Sequence, residues 1–168
     1  IMNYKVVDNF MDISYFYPLQ ALMFDENTSW YFNSKQLKFD EKARPFFNHT
    51  FYLDGVPTSP RYDNLIPTLK FLKVKALSEI RANFVLREKK PYYSAWHCDR
   101  DNSFKGSKTA IYYLNNNNGA TILKINNKDI KVDSKENRML IFNSQIKHRQ
   151  LTQTDTKERM VINYNYYD

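Results

Sequence analysis

Cysteine is nearly missing: Cys98 stands alone in 168 residues. That excludes a disulfide within the chain and fits a reducing compartment. No apolar run approaches the roughly 20 residues a bilayer-crossing helix needs. The opening Ile1-Met2-Asn3-Tyr4-Lys5 leads into Val6-Val7-Asp8 without the apolar region of a secretory signal. A soluble, cytoplasmic protein with no membrane partner is therefore expected. There is no internal repeat, and the four asparagines at 115–118 read as a turn rather than a low-complexity tract. Disorder is excluded by composition, with 42% hydrophobic and 16% aromatic residues, and the length suits one domain over 1–168.

What is present in excess is positive charge. The formal net charge is +7 and the pI about 9.3. This permits nucleic acid as a partner, or assists an anionic co-substrate in reaching its site. Lysine and arginine are spread through Lys70 to Lys75, Arg87 to Lys90 and Lys105 to Lys108, each a cluster that a solvated face commonly carries. Charge alone decides neither reading.

Along the chain, Tyr4-Lys5-Val6-Val7 reads as a strand. Ser14 through Phe24 reads as a helix on Phe16, Leu19, Leu22 and Met23, with Pro18 better suited to a first turn. Trp30-Tyr31-Phe32 is an aromatic block that fits core or a substrate groove. Residues Pro45 to Tyr62 read as a long ordered loop, with His49 structural within it. Asp63 to Leu77 reads as a second helix with Pro67 near its start.

From Glu79 the pattern changes to short extended segments: 80–86, 109–114, 121–125, 129–132, 139–142 and 160–164. Breaks fall at Asn115 to Gly119, Asn126-Asn127 and Lys135-Glu136-Asn137. With the segments bearing His97 and His148 this makes eight strands, the number of a double-sheet jelly roll. The fold expected is thus mainly β: a double-stranded β-helix over 79–168, with residues 1–78 as a helical support packed on one sheet.

The chemistry is concentrated in Trp96-His97-Cys98-Asp99. In an extended segment side chains alternate, so His97 and Asp99 point one way and Cys98 the other. An imidazole and a carboxylate aimed at one point, completed by His148, form the 2-His-1-carboxylate set that holds Fe(II) with open positions. Cys98 as a nucleophile would need an activating base, and its neighbours are better explained as metal ligands. On the last strand Arg159, Val161, Asn163 and Asn165 share a face. A guanidinium inside a small barrel is costly unless it grips an anion, and a dicarboxylate co-substrate would supply one.

These residues resemble the 2-oxoglutarate and Fe(II)-dependent dioxygenases, in particular the prolyl 4-hydroxylase-like branch and its small stand-alone bacterial and phage members. The resemblance runs through His97-Cys98-Asp99, Tyr112-Tyr113-Leu114-Asn115, Gly119-Ala120-Thr121, Asn137 to Phe142, His148 and Arg159. It implies that His97, Asp99 and His148 ligate iron, that Arg159 pairs with the distal carboxylate of 2-oxoglutarate, and that the Tyr113 hydroxyl supports the same carboxylate. Oxygen is then the second co-substrate, and hydroxylation is favoured over halogenation because Asp99 leaves no ligand position for chloride. There are two departures from the family pattern. Arg159 follows His148 by eleven residues, one more than the family spacing, which a bulge or a longer turn within Thr152 to Glu158 would absorb. Asn165 stands where several prolyl hydroxylases carry a tryptophan.

The expected substrate walls are Tyr92, Tyr93, Trp96, Asn163 and Asn165, and amide groups there suit a peptide or protein substrate with proline as the leading target. Two alternatives stand beside this: a nucleic-acid demethylase of the same chemistry, and a jelly-roll metal- or ligand-binding domain without turnover. A zinc enzyme on the same ligands would be expected to supply a separate general base.

Overall fold

The computed structural model describes residues 4–34, 44–99 and 105–168. In chain order its elements are β1 (Tyr4–Val7), α1 (Ile13–Phe24), β2 (Tyr31–Asn33), β3 (Phe46–Leu53), β4 (Val56–Pro57), a 3₁₀ turn (Tyr62–Leu65), α2 (Ile66–Phe71), β5 (Ala76–Leu86), β6 (Lys108–Tyr113), β7 (Ala120–Ile125), β8 (Lys128–Asp133), β9 (Arg138–Asn143), β10 (His148–Leu151) and β11 (Glu158–Tyr167). The larger antiparallel sheet has the order β1-β9-β6-β11-β5-β3-β2, with β4 hairpinned onto β3. The smaller has the order β10-β7-β8. Residues 92–97 run beside β10 through the isolated bridges Tyr93↔Leu151 and His97↔His148. This is a jelly roll in which the second strand is reduced to bridges.

Strict alternation along the strands sets the layers. On β11, Met160, Ile162, Tyr164 and Tyr166 bury themselves with Phe16, Leu19 and Met23 of α1. The opposite face, led by Val161, joins Ile111, Tyr113 and Leu140 of the larger sheet to Leu123 and Val132 of the smaller. One apolar layer therefore lies under the helix and another between the sheets. The helix begins because Asp12 caps it, its side chain accepting from the Ser14 N–H at 2.8 Å. Pro18 lies in the middle of the helix rather than in its first turn, and leaves the Ser14 carbonyl without its i+4 donor. Burial of three large side chains, at about 1.5–3 kcal/mol each, outweighs a proline cost of about 3 kcal/mol.

The expected helical support is present as α1 packed on the larger sheet, but the N-terminal part also adds strands to that sheet. The segment 45–62, expected as a loop, contains β3 and its hairpin with β4. Asp54 (φ 46°) and Gly55 (φ 93°) form the two-residue turn between Leu53 and Val56. An Asp-Gly pair populates two consecutive left-handed positions readily, and a hairpin follows. The second helix is also shorter than the Asp63–Leu77 expectation: Lys73 turns left-handed (φ 57°), and Ala76 and Leu77 are paired with Tyr167 and Tyr166 in the sheet. Trp30 packs in the core against Phe84, while Tyr31 and Phe32 are exposed on β2. His49 is buried, its ring nitrogens bonded to the Ser29 carbonyl and the Ser59 hydroxyl, both at 2.7 Å. No described helix is long and apolar enough to cross a membrane.

Candidate metal centre

The pairing of residues 92–97 with β10 sets His97 opposite His148. Each backbone N–H donates to the other's carbonyl, at 3.0 and 2.8 Å. The two rings stand 4.4 Å apart, and Asp99 lies beside both. Asp99 Oδ1 is 3.3 Å from His148 Nε2 and 3.9 Å from His97 Nε2. One ligand atom from each of the three residues falls within 4.8 Å of the others. Cys98 points away, its thiol donating to the Gln145 carbonyl at 3.2 Å.

The tautomers make this a cation site. His97 Nδ1 meets the Ala95 carbonyl and His148 Nδ1 the Ile146 carbonyl, both at 3.1 Å. A carbonyl only accepts, so both Nδ1 atoms carry hydrogen, and in the neutral rings both Nε2 atoms present lone pairs. Two lone pairs facing a carboxylate oxygen require a proton or a metal ion between them. Ligands about 2.1 Å from a shared ion at roughly 90–110° stand about 3.0–3.4 Å apart; the His148–Asp99 pair at 3.3 Å falls in this range and the His97–Asp99 pair at 3.9 Å stands wider. Carbonyl bonds that fix the distal ring nitrogen are also the usual support of metal-bound histidine.

Burial would push the Asp99 carboxyl up. His148, His97 and the Thr109 hydroxyl overcome this and hold it far below the usual carboxylate range. These neighbours thus favour the Asp99 anion. Burial and the neighbouring His148 hold His97 below an ordinary imidazole, with Asp99 offsetting part of the effect. For His148 burial is outweighed by the closer Asp99, so its ring holds a proton more tightly. Thr109 Oγ1 lies 2.9 Å from Asp99 Oδ2 and 2.9 Å from Asn165 Oδ1. Asn165, expected at the mouth, is buried behind the carboxylate, because its partner across the ladder is Thr109.

Arg159 lies deeper between the sheets and is 2% exposed. Nε donates to Ser134 Oγ at 2.9 Å, Nη1 to Gln150 Oε1 and Nη2 to Thr121 Oγ1 at 3.4 Å each. Its guanidinium is 5.6 Å from the Tyr113 ring, whose hydroxyl donates to Thr121 at 2.8 Å. These partners are neutral, and burial accordingly lowers the Arg159 pKa, with Tyr113 opposing. A cleft joins this guanidinium to His97 and His148 past Thr121, Gln150 and Val161. Gly119 makes room for the arginine stem: a Cβ there would stand 3.0 Å from Arg159 Cδ and 3.0 Å from the Leu151 carbonyl. The extra residue between His148 and Arg159 is taken up in the connection 152–157. No register shift occurs in β11 before Asn165.

A second cleft adjoins His97 and is lined by Phe46, Arg81, Asn83, Cys98, Asp99, Gln150 and Asn163. Of the expected substrate walls, Asn163 is here; Tyr92, Tyr93 and Trp96 line neither cleft. Trp96 neighbours His97, so alternation sends it outward onto Ala120, Ile122 and Leu151. Arg149 covers it at 4.3 Å and Tyr93 at 4.6 Å, and Tyr92 lies under Arg44 at 5.3 Å. The sequence reading passed over Arg81, Asn83, Thr109, Ser134 and Gln150. Gln150 is two residues from His148 and Thr109 two from Ile111, so strand parity carried a signal for both.

Comparison with known proteins agrees with this geometry. The sequence pattern of the 2OG-Fe(II) oxygenase superfamily matches residues 84–167. No curated protein sequence matches the chain. Among solved structures, an oxidoreductase of the 2OG-Fe(II) oxygenase family from Burkholderia pseudomallei superposes with TM-score 0.77 at 10% identity, covering 98% of this chain and 85% of that one. A prolyl hydroxylase from Trichoplax adhaerens, in complex with a hypoxia inducible factor oxygen degradation domain peptide fragment, gives 0.71 at 16% identity, covering 98% and 83%. The epimerase SnoN in complex with Fe3+, alpha ketoglutarate and nogalamycin RO gives 0.63 at 11%, covering 99% and 79%.

Proposed function

Because the chain belongs to the 2OG-Fe(II) oxygenase superfamily, we propose that it hydroxylates a C–H bond of a polypeptide, with Fe(II) held by His97, Asp99 and His148 and 2-oxoglutarate anchored by Arg159. The observation that carries the assignment is the buried Arg159 guanidinium. It shares a cleft with the two histidines and meets only neutral oxygens among the described residues. A buried cation without a counterion costs several kcal/mol, and a carboxylate delivered by the co-substrate removes that cost. Fe(II) held by His97, Asp99 and His148 would supply the O2-dependent oxidising chemistry of C–H hydroxylation, with 2-oxoglutarate, converted to succinate and CO2, as the two-electron reductant.

The chain's own residues supply geometry and charge. Ala95 and Ile146 carbonyls aim the two Nε2 lone pairs, and Thr109 fixes the Asp99 carboxylate. Ser134, Thr121 and Gln150 splay the Arg159 fork, leaving it to pair with a carboxylate in the charge-assisted, two-point manner that guanidinium favours. Tyr113 stands beside it with Thr121 as its partner. The apolar layer between the sheets, with Val161 and Ile111 in the cleft wall, restricts water around these charges.

A polypeptide is favoured as substrate by the amide-lined second cleft and by the likeness to a peptide-bound prolyl hydroxylase. Proline is the leading target residue. With Asn165 buried behind Asp99, its identity shapes the support of the metal rather than the mouth. The test incubates iron-loaded protein with 2-oxoglutarate, O2 and either proline-containing peptides or methylated oligonucleotides, measuring succinate and product mass. A gain of one oxygen on peptide is expected. Turnover only with oligonucleotides overturns the polypeptide assignment.

A further inference from the structure

The larger sheet does not stop at the barrel. Beyond β5 it continues into β3, so the inward face of β11 and β5 extends as a ledge past the metal centre. Its side chains are polar and fall in two rows fixed by register. Asn163 of β11 stands opposite Arg81 of β5, which stands opposite Thr50 of β3. One row on, Asn83 stands opposite Asn48. Phe46, two residues before Asn48, lines the second cleft with Arg81, Asn83 and Asn163, which sets the face these rows share.

Three of these side chains hold buried polar atoms with no hydrogen-bond partner among the described residues: Asn83 Oδ1, Asn163 Oδ1 and Arg81 Nε. Buried amide and guanidinium groups are ordinarily satisfied, and three unmet atoms around one cleft next to a metal centre, two of them on Asn83 and Asn163 where this cleft meets the one that reaches Arg159, mark a ligand. The unmet set is two acceptors and one donor. An ammonium group would require a carboxylate, but Asp99 faces the histidines and Glu79 lies 3.5 Å from Arg81. Neutral amide oxygens instead match neutral N–H donors. A polypeptide main chain offers N–H donors and C=O acceptors in alternation.

Resting on the polypeptide reading above, we infer that the substrate is held by its main chain on this ledge: backbone N–H groups donate to Asn163 Oδ1 and Asn83 Oδ1, and a backbone carbonyl accepts from Arg81 Nε. Neighbouring strands lie about 4.8 Å apart, so crossing from β11 to β3 spans about 10 Å, the reach of about three extended residues. The ledge therefore reads the few residues on one side of the modified position. Because it reads backbone, it tolerates most side chains there.

The test uses the iron-loaded full chain and a pool of synthetic proline-centred peptides with randomised flanks. The most strongly oxygenated peptide is then remade with single backbone N-methyl groups. Asn83→Leu and Asn163→Leu should each raise its KM about five- to tenfold, the loss of one hydrogen bond, while the Kd for 2-oxoglutarate stays within about twofold. N-methylation at one or two positions on one side of the target should do the same, and each such position should no longer matter in the leucine variant that lacks its acceptor. If wild-type protein oxygenates peptides but the variants keep its KM, the ledge assignment is wrong and the polypeptide reading stands. If N-methylation is without effect, main-chain recognition is overturned. If no peptide in the pool is oxygenated, both fall together.

Discussion

Arg159 shows how a single side chain ties fold to chemistry. It is fully desolvated, hydrogen-bonded on three nitrogens to neutral oxygens, and lined up with the histidine pair through one cleft. Arg159→Ala should weaken 2-oxoglutarate binding by about 1.5–3 kcal/mol, the worth of a charged hydrogen bond, and leave metal binding nearly intact. Calorimetric titration of the Mn(II)-loaded protein reads both; unchanged 2-oxoglutarate affinity moves the role to another residue. At this scale parity was the productive signal. It set His97 with Asp99, turned Cys98 away, and put Arg159 on the inward face. The same rule, applied to Trp96, would have removed it from the pocket, since it is one residue from His97. Asn165 was legible as inward-facing but not as buried, because its contact with Thr109 depends on the β11–β6 register, which no local pattern encodes.

Elements were legible where local chemistry agreed with tertiary demand. The segments after residue 79 are short, rich in apolar and β-branched residues and broken by turn residues; Asn126 and Asn127 both take the left-handed turn conformation expected between β7 and β8. The N-terminal strands were less legible. β3 mixes aromatics with Asn, His and Thr, and its clearest mark was the Asp54-Gly55 turn. β1 depends on docking to β9, and one contact there carries a pH signature. Asp8 accepts from Arg138 Nε at 2.6 Å and from Lys135 Nζ at 3.1 Å, bonds that hold its carboxyl down to about 2. A folded-state value below the unfolded one, about 3.9, means the contribution is complete above about pH 4 and is lost as pH falls toward 2. The side chain is 38% exposed, so screening limits it to about 0.5–1 kcal/mol. Asp8→Asn should therefore lower stability by that amount at pH 7 in urea denaturation, with the difference shrinking as pH falls toward 2. A gap that persists at low pH contradicts the ion-pair account.

For the whole molecule, the architecture brings together two histidines 51 residues apart in sequence, His97 and His148, by laying residues 92–97 against β10. That convergence is the central claim: three side chains placed to share a metal ion, in a barrel whose buried Arg159 is proposed to anchor the co-substrate. The net charge of +7 favours arrival of the anionic co-substrate, and the described surface assigns no further role to it. The most direct measurement is anaerobic Fe(II) titration of the wild type and of His97→Ala, Asp99→Ala and His148→Ala, with folding of each variant checked by circular dichroism. The account predicts one ion per wild-type chain, with affinity rising with pH as the histidines lose their protons, and loss of stoichiometric binding in each folded variant. Near-stoichiometric iron retained by all three variants would contradict it.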